Sequence, residues 1–196
     1  MKLIGIVGTN SNKSTNRQLL QYMQQHFADK AEIELIEVKD LPLFNKPADK
    51  NVPQVILDIA AKIEEADGVI IGTPEIPSAL MSVLAWLSYG IYPLLNKPVM
   101  ITGASYGTLG SSRAQLQLRQ ILNAPELKAS VLPDEFLLSH SLQAFDKDGN
   151  LHDIETSQKL DAIFDDFRLF VKITGKLSNA RDLLQKEAEN FDWESL

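Results

Sequence analysis

The chain contains no cysteine, which excludes disulfide bonds, thiolate metal sites and a cysteine nucleophile. It also has no apolar run long enough for a helix to cross a bilayer, so we expect no membrane partner. The apolar run near the start ends in Gly8, Thr9 and Asn10, which is typical of a strand followed by a turn. A secretory signal peptide would need a longer apolar stretch and a small-residue cleavage site, so we expect a cytoplasmic location.

The chain has fewer basic than acidic residues: it contains 19 Lys and Arg and 26 Asp and Glu, which gives a formal net charge of -7. Because a nucleic-acid interface needs a basic face, we expect no nucleic-acid partner. The three histidines, His26, His140 and His152, do not have the spacing of metal ligands, so we expect no metal site. The sequence Ser-His-Ser at residues 139–141 does not suggest a proton relay, because adjacent side chains of an extended segment point to opposite faces.

Strand and helix patterns alternate along most of the 196 residues. Patterns typical of strands occupy residues 2–8, 31–38, 68–74, 98–104 and 129–133. Residues 31–38 alternate apolar and polar side chains, as expected for an edge or half-buried strand. Helical periodicity follows at residues 19–27, 55–63, 80–88, 111–122 and 160–171. This alternation predicts a three-layer α/β fold with a doubly wound, five-stranded parallel sheet in flavodoxin-like order.

The C-terminal part of the sequence predicts two helices that differ in character. Residues 160–171 carry apolar side chains on one strong face, as expected for a helix that packs on the sheet. Beyond Gly175 we expect a separate helix, which divides the chain into a domain of residues 1–175 and a helical extension of residues 176–196. Trp193, near the end of that extension, either docks on a neighbouring subunit or belongs to a frayed tail.

Three loops with unusual chemistry leave the carboxyl ends of predicted strands, which is where such sheets bind ligands. The first, residues 8–16, is rich in hydroxyl and amide side chains and contains the cation Lys13. It also contains Ser14, a candidate N-cap of the next helix. A helix N-terminus binds phosphate well. An ordinary capped helix explains the loop taken alone, but its position after the first strand favours a phosphate site.

The second and third loops follow two further strands. Pro74 and Glu75 precede a helix that starts near Pro77, which by itself is an ordinary proline-rich helix entry. The third loop contains Gly103, Gly107 and Gly110, which would let the backbone approach a ligand closely. We therefore expect one ligand to contact all three loops.

These motifs resemble the NADPH-dependent FMN reductase family. That family shows G-S-x-R-x-x-S-x-N, T-P-E-Y-N-x-S-I-P and A-S-x-G-x-x-G-x-x-R-A-Q after its first, third and fourth strands. The chain has GTNSNKSTN at residues 8–16, TPEIP at residues 73–77 and ASYGTLGSSRAQ at residues 104–115. Two departures stand out: Ser11 replaces the family's usual arginine, and the second loop is shorter and lacks the residues that flank the flavin ring in relatives.

The resemblance implies that FMN and NADPH are cofactors. It places the FMN phosphate on the first loop and the flavin ring between the second and third loops. The residues implied to bind the cofactor are Thr9, Ser11, Ser14, Thr15, Asn16, Pro74, Glu75, Ile76, Ser105, Tyr106, Gly107 and Thr108. Backbone N–H groups of residues 105–108 would stabilise negative charge on the reduced ring, and we expect no indispensable side-chain acid or base.

The implied activity is hydride transfer from NAD(P)H to flavin N5, followed by electron transfer to a small-molecule acceptor such as a quinone, azo compound, metal ion or free flavin. Two alternatives stay open: a non-enzymatic FMN-binding electron carrier or partner subunit, and a scaffold whose short second loop no longer binds flavin. The apolar residues around Trp86, Ile91 and Tyr92 exceed what one helix face normally buries, which favours a dimer contact. The family's usual assemblies likewise imply a homodimer or homotetramer.

Overall fold

The computed structural model describes residues 1–189 of the chain. The elements of this part of the chain are β1 (Lys2–Val7), α1 (Thr15–His26), β2 (Glu32–Glu37), α2 (Gln54–Glu65), β3 (Gly68–Gly72), α3 (Ser78–Leu87), β4 (Pro98–Ala104), α4 (Ser112–Leu122), β5 (Ser130–Val131), β6 (Phe136–Leu138) and α5 (Ile154–Glu189), with a 3-10 helix at Ser141–Gln143. Among these residues, no helix combines the length and apolar character that spanning a membrane requires.

The strands form one parallel sheet in the order β2-β1-β3-β4-β5, and β6 also pairs with β4. Strands β3 and β4 are buried along their whole length, which explains why their sequences are apolar throughout. One core lies between the sheet and α2, α3 and α4, and the other lies between the sheet and α1 and α5. The predicted doubly wound α/β class is therefore confirmed.

The fifth position of the sheet is shared by two short strands, of which the sequence predicted only the first. Val99 pairs with Val131, and Thr102 pairs with Phe136, so β4 advances three residues while its partner advances five. Pro133 lies in the interruption, where its missing N–H cannot contribute to the ladder. The second strand, β6, brings the residues after Leu138 beside the end of β4.

Of the apolar residues around Trp86, Trp86 itself is covered by the chain's own loop between β2 and α2, whereas Tyr92 is 48% exposed. Trp86 is 2% exposed, and its Nε1 donates to the carbonyl oxygen of Pro42 over 2.8 Å. The ring of Phe44 packs edge-on against it at 4.9 Å. The burial of Trp86 therefore gives no support to a dimer contact at this residue, and the homodimer or homotetramer stays a prediction.

The predicted break at Gly175 is wrong, because α5 continues through this residue to Glu189. One interior glycine costs a helix only about 1 kcal/mol relative to alanine, and the good helix formers Lys176 and Leu177 follow it here. The division into residues 1–175 and 176–196 stays a prediction, and Trp193 lies outside the described residues.

Candidate functional site

Three loops meet at the carboxyl edge of the sheet and enclose an open cavity of about 270 Å³. The cavity lies where the strand order reverses, since β1 sits between β2 and β3. Its described lining residues are Thr9, Ser11, Lys13, Ser14, Thr15, Asn16, Pro74, Glu75, Ala104, Ser105 and Tyr106. The structure thus brings residues of all three predicted loops together, while Ile76, Gly107 and Thr108 are not among the described lining residues.

The first loop presents the N-terminus of α1 to the cavity. Ser14 is the N-cap, as predicted, and its hydroxyl accepts from the N–H of Arg17 over 3.3 Å. The N–H groups of Thr15 and Asn16 have no acceptor within the helix because they belong to its first turn. With Lys13 also on the cavity wall, this end of the cavity favours an anion.

Arg17 holds the first loop from outside the cavity. Its guanidinium makes two hydrogen bonds to the Glu37 carboxylate, at 2.6 and 2.7 Å, and donates to the carbonyl oxygens of Ser11 and Asn12 at 2.8 and 3.2 Å. The hydrogen bonds to Glu37 raise the pKa of Arg17 above its ordinary value. The loop conformation is therefore fixed by a charged pair anchored at the end of β2.

Two side chains at the start of α1 connect the first loop to the third. The Asn16 amide donates to the carbonyl oxygen of Ala104 over 2.9 Å and accepts from its N–H over 2.8 Å. The Thr15 hydroxyl lies 2.8 Å from the hydroxyl of Ser141. Both side chains are buried, so they set the spacing between the loops from within the protein.

The second loop forms one wall of the cavity and is short. Pro74 and Glu75 line the cavity, and α3 begins at Ser78. Ile76 is 83% exposed and lies outside the described lining. The buried Thr73 before them is fixed by its N–H, which donates to the carbonyl oxygen of Thr102 over 2.9 Å.

The three glycines of the third loop have different roles, although the sequence suggested that all three admit a ligand. A Cβ at Gly103 would lie 1.9 Å from Ser111 Oγ, and one at Gly110 would lie 2.7 Å from the backbone of Leu137. Gly110 also has φ +56, which favours glycine. Both positions are therefore required by packing within the chain. Around Gly107 no described atom lies within 4 Å of the corresponding Cβ, so this glycine leaves room for a ligand.

The donors around the cavity match the chemistry of FMN. An anion-binding helix end faces the same cavity as a loop whose backbone can approach a flat ring, and Tyr106, 60% exposed, lies at its edge. The volume is close to the lower end of ordinary ligand pockets, about 300 Å³, and an open cavity encloses only part of its ligand. When bound, FMN supplies hydride and electron transfer.

The sequence model of a family described as NADPH-dependent FMN reductase matches residues 1–143. The chain belongs to this family. It is therefore an NAD(P)H-dependent oxidoreductase that uses FMN and NAD(P)H, and the predicted resemblance is confirmed.

Individual relatives extend this result beyond the matched segment. The chain is 48% identical to NADH:(hydroxy)cinnamate reductase subunit CrdA of Vibrio ruber, over 100% of this chain and 98% of the relative. It is 44% identical to NADH-dependent flavin reductase subunit 2 of Lactobacillus johnsonii, over 88% of this chain and 98% of the relative. In three dimensions it resembles FerB, a flavoenzyme NAD(P)H:(acceptor) oxidoreductase of Paracoccus denitrificans, with 25% identity, a TM-score of 0.78 and coverage of 88% of this chain and 98% of that chain.

Sequence reasoning missed one residue that connects the loops of the candidate site. Ser141 is fully buried and contacts both the first and the third loop, although the sequence presented it only as part of an unproductive Ser-His-Ser triplet. Its importance depends on β6, which was not predicted, so no local signal in the sequence points to it.

Proposed function

We propose that the chain binds FMN across this cavity, with the phosphate on the first loop and the flavin ring against the third, and reduces it with a nicotinamide nucleotide. The observation that carries the proposal is that the N-terminus of α1 and the third loop line the same cavity. The N–H groups of Thr15 and Asn16 with Lys13 would hold the phosphate. Pro74, Glu75 and Tyr106 would bound the ring.

The electron acceptor we propose is a small oxidised molecule, such as a quinone, azo compound, metal ion or free flavin. The name of the Lactobacillus johnsonii relative, a flavin reductase, supports free flavin within this class. The names of both curated relatives specify NADH, which supports NADH as the donor. The chain's own contribution is to position the reactants, since hydride transfer between stacked rings needs no side-chain acid or base.

Reconstitution with FMN tests this proposal. The apoprotein is titrated with FMN, freed of excess cofactor and mixed anaerobically with NADH or NADPH while the visible spectrum is recorded. We expect the flavin absorption to bleach, and then to recover with repeated turnover when a quinone or free flavin is added. Protein that retains no FMN, or FMN that neither nucleotide bleaches, would refute the proposal.

A second candidate function is that of a reductase subunit that exchanges electrons with a partner protein. Both curated relatives are named as subunits. In addition, Leu169, Ile173 and Leu177 recur every fourth residue along α5 and are 56%, 55% and 50% exposed, which forms an apolar stripe. Steady NADH oxidation by the isolated chain with small acceptors would contradict a pure carrier, whereas bound FMN that NADH leaves oxidised would favour it.

A further inference from the structure

We propose that residues 139–141, here called the 139–141 clamp, position the third loop so that its N–H groups face the flavin. The same clamp also links the third loop to the phosphate end of the site. This inference rests on the proposed function, because its ligand is FMN. It assigns a role to a segment that lies outside the three loops of the cavity.

The clamp makes three hydrogen bonds to carbonyl groups of the third loop. Ser141 N–H donates to the carbonyl oxygen of Ser105 over 2.9 Å, and His140 N–H donates to that of Gly107 over 3.0 Å. The Ser139 hydroxyl donates to the carbonyl oxygen of Thr108 over 2.6 Å. The clamp therefore fixes three peptide groups within a stretch of four residues.

Holding a carbonyl group also orients the N–H of the same peptide, because the two point in opposite directions across a trans peptide bond. With the Ser105 and Gly107 carbonyls turned toward the clamp, the N–H groups of Tyr106 and Thr108 point away from it. Neither N–H has an acceptor among the described residues. Since Ser105 and Tyr106 line the cavity, the N–H of Tyr106 suits the pyrimidine edge of a flavin, where negative charge develops on reduction, and the N–H of Thr108 follows it two residues further along the loop.

The same clamp also reaches the phosphate end of the site. The hydroxyl of Ser141 lies 2.8 Å from that of Thr15, the first residue of α1. Ser141 is fully buried and Thr15 is 7% exposed, so removing either hydroxyl leaves the other without its partner inside the protein. Ser141 thus contacts both loops that we assign to FMN.

The backbone of the clamp is held in an uncommon conformation. His140 has φ +48, in the left-handed region that few residues other than glycine adopt. This turn follows β6 directly and allows the consecutive N–H groups of His140 and Ser141 to reach the third loop. Strained residues persist where the surrounding structure requires them, often at functional sites.

Ser141→Ala tests the clamp's link to the phosphate end, because it removes the hydroxyl that contacts Thr15 and keeps the N–H that donates to Ser105. Leu142→Ala is the matched control. Leu142 is the next residue of the same 3-10 helix and is 61% exposed. We expect Ser141→Ala to raise the FMN dissociation constant about tenfold. We expect Ser139→Ala, which removes the clamp's side-chain hydrogen bond to the third loop, to shift the reduction potential of bound FMN to a more negative value. Leu142→Ala leaves both unchanged. The reduction potential of bound FMN distinguishes the two explanations. A loss of ring positioning changes this potential, whereas a general loss of protein stability does not, because it leaves the environment of bound flavin unaltered.

A double-mutant cycle tests the link between the loops. Thr15→Val and Ser141→Ala remove the two ends of one hydrogen bond, so the double variant should lose less FMN affinity than the sum of the single losses. If Ser141→Ala does not fold, Ser139→Ala alone tests the clamp, because it removes only the contact to Thr108. We expect it to raise the FMN dissociation constant about threefold and to make the reduction potential of bound FMN more negative.

Wild-type FMN affinity in the folded Ser141→Ala variant, or a wild-type potential in the folded Ser139→Ala variant, would overturn the clamp, as would additive effects in the cycle. These outcomes leave the proposed function intact as long as the unmodified chain binds FMN. Failure of the unmodified chain to bind FMN would instead refute the proposed function.

Discussion

The side chain of Asn16 is bonded twice to the backbone of Ala104, donating to its carbonyl oxygen over 2.9 Å and accepting from its N–H over 2.8 Å. Asn16 is the second residue of α1, and Ala104 is the last residue of β4. One buried amide therefore fixes the helix N-terminus relative to the third loop. The two ends of the proposed FMN site are separated by 88 residues in sequence and are joined by these two hydrogen bonds.

Asn16→Ala should destabilise the protein even without cofactor. It leaves the buried N–H and carbonyl groups of Ala104 unpaired, which we expect to cost about 2–4 kcal/mol in the free energy of unfolding. Urea denaturation of the FMN-free protein measures this change. Asn51→Ala, in an exposed loop, is the control, and equal stability of the two variants would contradict the assigned role of Asn16.

Features that depend on neighbouring residues could be predicted from the sequence. Apolar runs gave the five strand positions, and the hydroxyl before the first helical pattern identified Ser14 as its cap. Features that depend on distant contacts could not. The contact between Thr15 and Ser141 spans 126 residues and requires β6, and Trp86 could be recognised as buried only once the loop containing Pro42 and Phe44 was seen to cover it.

Gly175 illustrates a different limit of sequence reasoning. A glycine lowers helix propensity, so it suggested a boundary, yet the 36-residue helix α5 continues through it. The third-loop glycines show the same limit, because the sequence alone could not separate Gly103 and Gly110, which packing requires, from the unobstructed Gly107.

Lys13→Ala should weaken the binding of FMN more than that of riboflavin. Lys13 lines the cavity beside the N-terminus of α1, where a phosphate would accept a charge-assisted hydrogen bond. We expect the FMN dissociation constant to rise about tenfold at low ionic strength and less at high salt. Fluorescence titrations with both flavins measure this. Lys159→Ala, exposed on α5, serves as the control, and an equal loss for riboflavin would contradict phosphate binding by Lys13.

A comparison of Gly107→Ala with Gly103→Ala should distinguish an effect on FMN binding from an effect on the stability of the protein. No described atom lies within 4 Å of the Cβ that alanine would place at position 107, so stability should stay close to that of the unmodified chain while FMN binding weakens. At Gly103 the added Cβ meets Ser111 Oγ at 1.9 Å, so we expect a loss of about 1–3 kcal/mol in the free energy of unfolding. Thermal unfolding and FMN titration of both variants provide the comparison. Unaltered FMN affinity in Gly107→Ala would exclude a close approach of the ring to this glycine.

Stability should fall at acidic pH partly through Asp165. Hydrogen bonds from Lys30 and Arg168 lower the pKa of this carboxyl below its ordinary value. A depressed pKa in the folded state means that the contribution is present above the unfolded-state pKa and is lost as pH falls through the folded-state value. Because the side chain is 52% exposed, the contribution should not exceed about 1 kcal/mol.

Asp165→Asn provides the measurement for this carboxyl. The variant should be less stable than the unmodified chain at neutral pH. The difference should shrink as pH falls below about 4 and vanish only below the folded-state pKa, where the carboxyl is protonated in both states. Urea denaturation at several pH values follows the difference. If the difference in the free energy of unfolding between the two proteins stayed constant down to strongly acidic pH, the charge on Asp165 would not be its source.

A crystal structure of the protein with FMN tests the central claim most directly. We predict one FMN per chain in the cavity, with its phosphate within hydrogen-bonding distance of the first turn of α1 at Ser14 and Thr15 and the edge of its ring at the N–H groups of Tyr106 and Thr108. A flavin bound elsewhere, or one that contacts the first loop without reaching the third, would contradict the account.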